Sequence, residues 1–351
     1  MRYDIAVEFQ KDMDDVMRIK KIAALLLAAC LVFLSGCNFG KLIIAEPAAT
    51  PVDAVATQTE ATPTEATTHP PTTEEPTTLK TYDFTGLQYS ADSVAVACYD
   101  LREERYLYEK NTQMAIAPAS LTKIVTACVA LKYALPDEVF TVGDEIKLVG
   151  SNSSLCFVQV GQQVTLYDLL CGMLLASGND AAYTVAVNVA RKAAGKTMAA
   201  QDAVGFFVQL MNEFCAEIGL ENSHFVNPEG WDDPQEYMSA RDIVTAARYA
   251  MQSHVFREIV AKQTCHAVFV SGQTIDWTNS NLMLDAAKPF YTEGVEGIKT
   301  GTTEFAAKCL AAYYRDGEHE LIVVSMGNAT DEQRYYSVRE IIDTVKSQSA
   351  Q

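Results

Sequence analysis

The tightest limit on how this chain can fold is set by where its strand-like and helix-like stretches fall. Ser93 to Tyr99 is β-rich, and Arg105 to Glu109 reads as its hairpin partner. Strand character returns in Cys265 to Val270, Thr274 to Trp277, Gly294 to Lys299, Lys308 to Tyr314 and Glu320 to Met326. Asp316-Gly317 is a hairpin signal between the last two. The stretch between is mostly helical in pattern. Strands from both ends of a chain with helices between them predict an α/β (α+β) architecture. The sheet is mainly antiparallel and flanked by helices, with a helical subdomain inserted at about 150–255.

A helix is expected from about Ser120 to Tyr133. Thr165 and Asp168 have capping-box spacing ahead of the apolar run Leu166 to Leu175, and Ser239 and Asp242 repeat it before a helix to about Met251. Asp180 to Ala194 is expected to be helical, as is Val204 to Ile218, with Phe207, Leu210, Phe214 and Ile218 on one face. Thr330 with Gln333 caps a last helix, whose Val338, Ile341, Ile342 and Val345 form a stripe for the sheet. Short β-like runs are expected near Val139 and Ile146. There is no internal repeat.

The N-terminus reads as an address. Arg18, Lys20 and Lys21 precede the apolar run Ile22 to Leu34, which is too short to span a bilayer comfortably and suits a signal-peptide core. It ends in Leu34-Ser35-Gly36-Cys37, which resembles a bacterial lipobox and implies cleavage before Cys37 and lipidation of that residue. Residues 1–16 are acidic and sit awkwardly before such a signal, so Met17 is a candidate true start. The competing reading is an uncleaved apolar anchor with a chance cysteine. From about Ala45 to Thr78 the chain is Pro, Thr, Ala and Glu, too poor in large apolar residues to order itself. The expected layout is therefore a signal over 1–37, a disordered tether over 38–81 and a folded domain over 82–347. It would be held by lipid at the extracytoplasmic face of the cell membrane.

The net charge of -18 argues against nucleic acid as a partner, since phosphates require a basic face. An anionic substrate would need a local cationic site. Of nine cysteines, Cys30 leaves with the signal and Cys37 carries lipid, and the odd remainder cannot all pair within one chain. Cys98, Cys128, Cys171, Cys215 and Cys309 lie in apolar stretches and read as small buried hydrophobes. No Cys-x-x-Cys pair or His cluster suggests a metal. Gly195-Lys196-Thr197 looks like the end of a phosphate loop, but Ala190 stands where its first glycine belongs and a helix precedes it.

Three motifs carry chemistry. In Ser120-Leu121-Thr122-Lys123 a hydroxyl and an amine share one helical face about a turn apart. A serine needs a base, and lysine serves only when neutral, which burial and a nearby cation such as Lys299 would favour. In Ser177-Gly178-Asn179, Ser177 can relay a proton to a leaving amine, and Asn179 can hold a substrate carbonyl or bond Lys123. In Lys299-Thr300-Gly301-Thr302, Lys299 and the hydroxyls of Thr300 and Thr302 can bind a terminal carboxylate, while Gly301 lets a substrate strand approach. The N–H groups of Ser120 and Thr302 can form an oxyanion hole. Each motif alone has a bland reading, as a helix start, an interhelical turn or a Gly-containing turn. Their joint order makes coincidence a poor account.

From about Asp92 to Gly327 the chain resembles the D-alanyl-D-alanine carboxypeptidases of serine peptidase family S11, the low-molecular-mass penicillin-binding proteins. The likeness rests on Pro118-Ala119-Ser120-Leu121-Thr122-Lys123, Ser177-Gly178-Asn179-Asp180-Ala181-Ala182, Phe225-Val226-Asn227-Pro228-Glu229-Gly230, Ser239-Ala240-Arg241-Asp242 and Gly297-Ile298-Lys299-Thr300-Gly301. The resemblance implies the penicillin-recognising fold and a serine carboxypeptidase. Ser120 would attack between two terminal D-alanines of a peptidoglycan stem peptide through an acyl-enzyme. It also implies slow-releasing acylation by β-lactams, and no metal or organic cofactor. Two departures stand out. Many relatives carry Ala-Gly where this chain has Ala306-Ala307, and the last helix is expected to end around Ser347, close to the end of the given sequence, so their extra β-rich domain and amphipathic anchor are not expected in it. The alternatives are a serine β-lactamase, for which no Glu-x-x-Leu-Asn segment is found, and a non-catalytic cell-wall-binding lipoprotein.

Overall fold

The computed structural model describes residues 80–349. The expected signal segment, Cys37 and nearly all of the tether lie outside them. The described chain opens with a one-turn helix α1 (Tyr89–Asp92), strands β1 (Ala95–Asp100) and β2 (Arg105–Lys110), and helix α2 (Thr122–Tyr133). Then come β3 (Val139–Thr141), β4 (Gln163–Thr165), α3 (Leu166–Leu174), α4 (Asn179–Ala194), α5 (Ala200–Ile218), α6 (Ala240–Ala250) and α7 (His254–Val260). The C-terminal part holds β5 (Thr264–Val268), β6 (Thr274–Thr278), β7 (Val295–Thr303), β8 (Ala307–Arg315), β9 (Glu320–Asn328) and α8 (Asp331–Ser349).

The main sheet has the order β2-β1-β9-β8-β7, and every pairing in it is antiparallel. The two ends of the domain meet where β1 pairs with β9, Ala97 opposite Val324. β7 is left as an edge strand. Alternate side chains of a strand point to opposite faces, so a strand covered on both sides is apolar throughout. β1 is buried at all its positions. Val96 and Cys98 join Leu321, Val323 and the α8 stripe Val338, Ile341, Ile342 and Val345 in one core. Ala95, Ala97, Tyr99, Ile322 and Val324 face the larger core built with the helices of the middle of the chain. Each large aliphatic side chain so buried contributes about 1.5–3 kcal/mol.

The expected caps form. Thr165 Oγ1 accepts from the Asp168 N–H, Ser239 Oγ from the Asp242 N–H and Thr330 Oγ1 from the Gln333 N–H, each at 3.1 Å. One expectation needs correction. Residues around Ile146 form a 3₁₀ turn (Asp144–Leu148), not a strand, because Glu145 folds back to accept from the Gly143 N–H and the partner of β3 is β4 instead. The strand expected over Gly294 to Lys299 runs on to Thr303, and the third motif ends it, as expected. The extra length follows from β-branched Thr300 and Thr302, which stay in register with Leu310 and Lys308. The short helix α7, capped by Ser253, was not expected at all.

Candidate active site

Ser120 lies in a 3₁₀ turn (Ala119–Leu121) that feeds α2, two residues ahead of the first residue of that helix. Residues three apart on a helix lie on one face. Lys123 Nζ accordingly sits 2.9 Å from Ser120 Oγ. Lys123 is fully buried, and its Nζ also donates to Asn179 Oδ1 (2.7 Å) and to the Glu229 backbone carbonyl (2.8 Å). Those two oxygens can only accept. A neutral amine that gives both its N–H groups to them keeps its lone pair for the Ser120 hydroxyl, the geometry a base requires.

Burial brings the Lys123 pKa down to about 8, while Glu229, then Asp180, Cys156 and Glu236 pull it back up. Lys299 and Lys123 repel one another, as the sequence-based expectation has it, but burial is the largest cause for each. The neighbouring carboxylates oppose neutralisation of Lys123, and burial does most of the lowering. Lys299 is itself held well below an ordinary lysine, first by burial and then by the cations Lys123 and Arg334.

Asn179 opens α4, and its N–H donates to the Ser154 carbonyl at 2.8 Å. Gly178 lets that loop close in, because a Cβ there would sit 2.6 Å from Cys156 Cβ. Ser177 adopts a left-handed conformation, φ 59°. Such backbone is costly outside glycine and clusters at functional sites. None of the hydrogen bonds among the described residues joins the Ser177 hydroxyl to Ser120 or Lys123. The second motif thus contacts the base through Asn179 only.

The third motif packs onto the nucleophile turn. A Cβ on Gly301 would lie 3.0 Å from Ala119 Cβ, 3.1 Å from the Pro118 carbonyl and 3.3 Å from the Ser120 nitrogen. Lys299 is buried, its Nζ donating to the Thr300 carbonyl at 3.0 Å, and the Thr300 hydroxyl pairs with Ser280 Oγ at 2.7 Å. Ser120, Lys123, Asn179, Lys299, Thr300, Gly301 and Thr302 are thereby gathered around one turn and one free strand edge. Two residues escaped the sequence reading. Arg334, on the first turn of α8, donates Nη1 to the Gly301 carbonyl (3.1 Å) and Thr302 Oγ1 (3.2 Å) and pairs with Asp331 at 2.8 Å. Its signal was a cation at a helix N-terminus, where the helix dipole disfavours it. Glu229 stood in a quoted segment without a role, yet its carbonyl holds the base. The neighbouring Gly230 is required there, since a Cβ would fall 1.8 Å from the Ala119 carbonyl oxygen.

A buried amine bonded to a serine hydroxyl beside a glycine-containing strand edge defines the class of serine acyl-transfer enzymes that use lysine in place of histidine. Residues 83–330 match the family model for D-alanyl-D-alanine carboxypeptidase, peptidase family S11, and the chain belongs to that family. It is 29% identical over 250 residues to the D-alanyl-D-alanine carboxypeptidase DacF of Bacillus subtilis, covering 70% of this chain and 59% of that protein. It is 32% identical over 263 residues to DacC of Escherichia coli, covering 72% and 61%. The chain thus spans about three fifths of the length of these relatives. The crystal structure of the DD-transpeptidase of Streptomyces strain K15 superposes with a TM-score of 0.67 at 26% identity, covering 73% of this chain and 97% of that one. The fold is thus that of the DD-peptidases, as expected.

Proposed function

We propose that the protein is a serine D-Ala-D-Ala carboxypeptidase that trims peptidoglycan stem peptides. The observation that carries this reading is the Lys123 amine, buried and 2.9 Å from Ser120 Oγ, with its other contacts restricted to acceptors. Lys123 takes the Ser120 proton as Oγ attacks the carbonyl of the penultimate D-alanine. The N–H groups of Ser120 and Thr302 stabilise the oxyanion. The proton passes by way of Ser177 to the departing D-alanine amine, and water then releases the shortened peptide. The substrate lies along the free edge of β7, with Gly301 allowing close approach. Its terminal carboxylate meets Lys299, Thr300 and Thr302, with Arg334 behind them. β-Lactams acylate the same serine.

The direct test is release of free D-alanine from a peptide ending in D-Ala-D-Ala, together with covalent labelling by a fluorescent penicillin. Both should vanish in Ser120→Ala. Persistence of D-alanine release in that variant would remove the assignment and favour a non-catalytic wall-binding role. For the N-terminal segment we infer lipidation at Cys37, supported by the basic stretch, the apolar run and the Leu-Ser-Gly-Cys sequence. This would place the domain on a tether at the outer face of the membrane.

A further inference from the structure

Two large aromatic side chains stand exposed beside the nucleophile turn without a part in the chemistry above. Trp231 is 40% exposed and Phe305 is 64% exposed. Exposed apolar side chains grouped at a groove are a mark of ligand binding. Trp231 directly follows Gly230, whose close approach to the Ala119 carbonyl oxygen sets it against the turn that holds Ser120. Asn227 locks that loop. Its Oδ1 accepts from the N–H groups of Glu229 (3.1 Å), Gly230 (2.7 Å) and Trp231 (3.1 Å), and its Nδ2 donates to the Trp231 carbonyl (3.0 Å). Gly150 backs the indole on one side, since a Cβ there would lie 3.7 Å from Trp231 Cε2. Phe305 stands in the turn between β7 and β8, just past the third motif. Its N–H donates to Asp232 Oδ2 at 2.9 Å, which ties this turn to the Trp231 loop at the end of β7.

We propose that Trp231 and Phe305 form a specificity subsite for the stem residue that precedes the two D-alanines, and that it takes an unbranched aliphatic side chain ending in an ammonium group. This rests on the carboxypeptidase reading given above. With its carboxylate at Lys299 and Thr300 and its reactive carbonyl at the Ser120 and Thr302 N–H groups, the peptide runs antiparallel to β7. Its N-terminal part therefore leaves past Thr303 toward Phe305. One residue of extended chain spans about 3.3 Å, so one step beyond the reactive carbonyl brings the preceding residue level with Thr303. Aromatic walls suit methylenes, and an indole face also attracts a cation. The charged residues adjoining the two rings along the chain, Asp232, Asp233 and Glu304, are all acidic. Asp232 Oδ1 is buried without a hydrogen-bond partner, so its charge is weakly screened. The cations on the far side of Thr302, Lys308 and Arg334, are already paired with Asp331 at 3.8 and 2.8 Å. That balance of charge favours an ammonium and opposes a carboxylate.

The test measures kcat/KM for D-alanine release by the full-length protein from N-acetylated peptides in which lysine, norleucine, alanine or glutamate precedes D-Ala-D-Ala. In the wild type, lysine should exceed alanine at least tenfold, norleucine should fall between them, and glutamate should be poorest. Trp231→Ala and Phe305→Ala should each cut the lysine-to-alanine ratio at least threefold. Phe305→Ala keeps the test clear of folding, because that ring lies mostly in solvent. Equal rates on lysine and alanine in the wild type, or a ratio unchanged in both variants, would overturn the subsite. Norleucine matching lysine would overturn the choice of an ammonium. If the wild type releases no D-alanine from any of these peptides, the carboxypeptidase reading itself fails.

Discussion

At the scale of single residues, the chemistry turns on one proton. Lys123 is a base only without its charge, and its pKa is lowered to about 8 by burial. The active form therefore lies above that value. Labelling of Ser120 by a β-lactam should climb through pH 8, level off above it, and fall roughly tenfold per unit below it. A rate independent of pH between 6 and 9 would exclude Lys123 as the base. Lys299 presents the opposite case. Burial, Lys123 and Arg334 all press it toward neutrality, yet binding an anion calls for a cation. A substrate carboxylate supplies the missing counter-charge, so binding should take up a proton. Lys299→Ala should reduce kcat/KM at least tenfold more for carboxylate-bearing substrates than for esters lacking a nearby anion. Equal losses would argue against carboxylate binding.

At the scale of elements, the legible parts were those governed by neighbours along the chain. Thr165, Ser239 and Thr330 could be read as caps because a cap acts over three residues, and all three form. The turn at Asp144–Leu148 was misread because its apolar Ile146 suits either a strand or a packed turn, and the choice rested on a partner strand that is absent there. The Ala306-Ala307 departure now has a physical meaning. Ala307 opens β8 in the left-handed region, φ 54°, where a Cβ costs about 1 kcal/mol. Ala307→Gly should raise the urea midpoint slightly while leaving penicillin labelling unchanged, and a lower midpoint would refute the strain. Gly301 makes the reverse case. Its hydrogen stands where a larger group would strike Ala119 and Pro118. Gly301→Val should keep a cooperative unfolding transition yet lose at least a hundredfold in acylation, measured by the labelling rate.

At the scale of the whole molecule, the site is a meeting of four pieces: the turn before α2, the start of α4, the segment ending in Glu229-Gly230, and the free edge of β7. The sheet that brings them together closes by pairing β1 with β9. Outside the described residues, the inferred lipid at Cys37 makes one prediction of its own. Cys37→Ala should shift the protein from the membrane fraction to the soluble one without changing activity per molecule, and an unchanged distribution would count against lipidation.

Read alone, the sequence determined the reactive groups, the antiparallel sheet with its helices and most caps, because hydroxyl and amine chemistry, periodicity and capping all act within a few neighbouring residues. The tertiary structure alone decided that burial is the largest cause lowering Lys123, that Arg334 backs the third motif, and that the Glu229 carbonyl holds the base. Burial and charge act through space between segments more than a hundred positions apart, as Lys123 and Glu229 are, and no local pattern records which segments the fold will bring together.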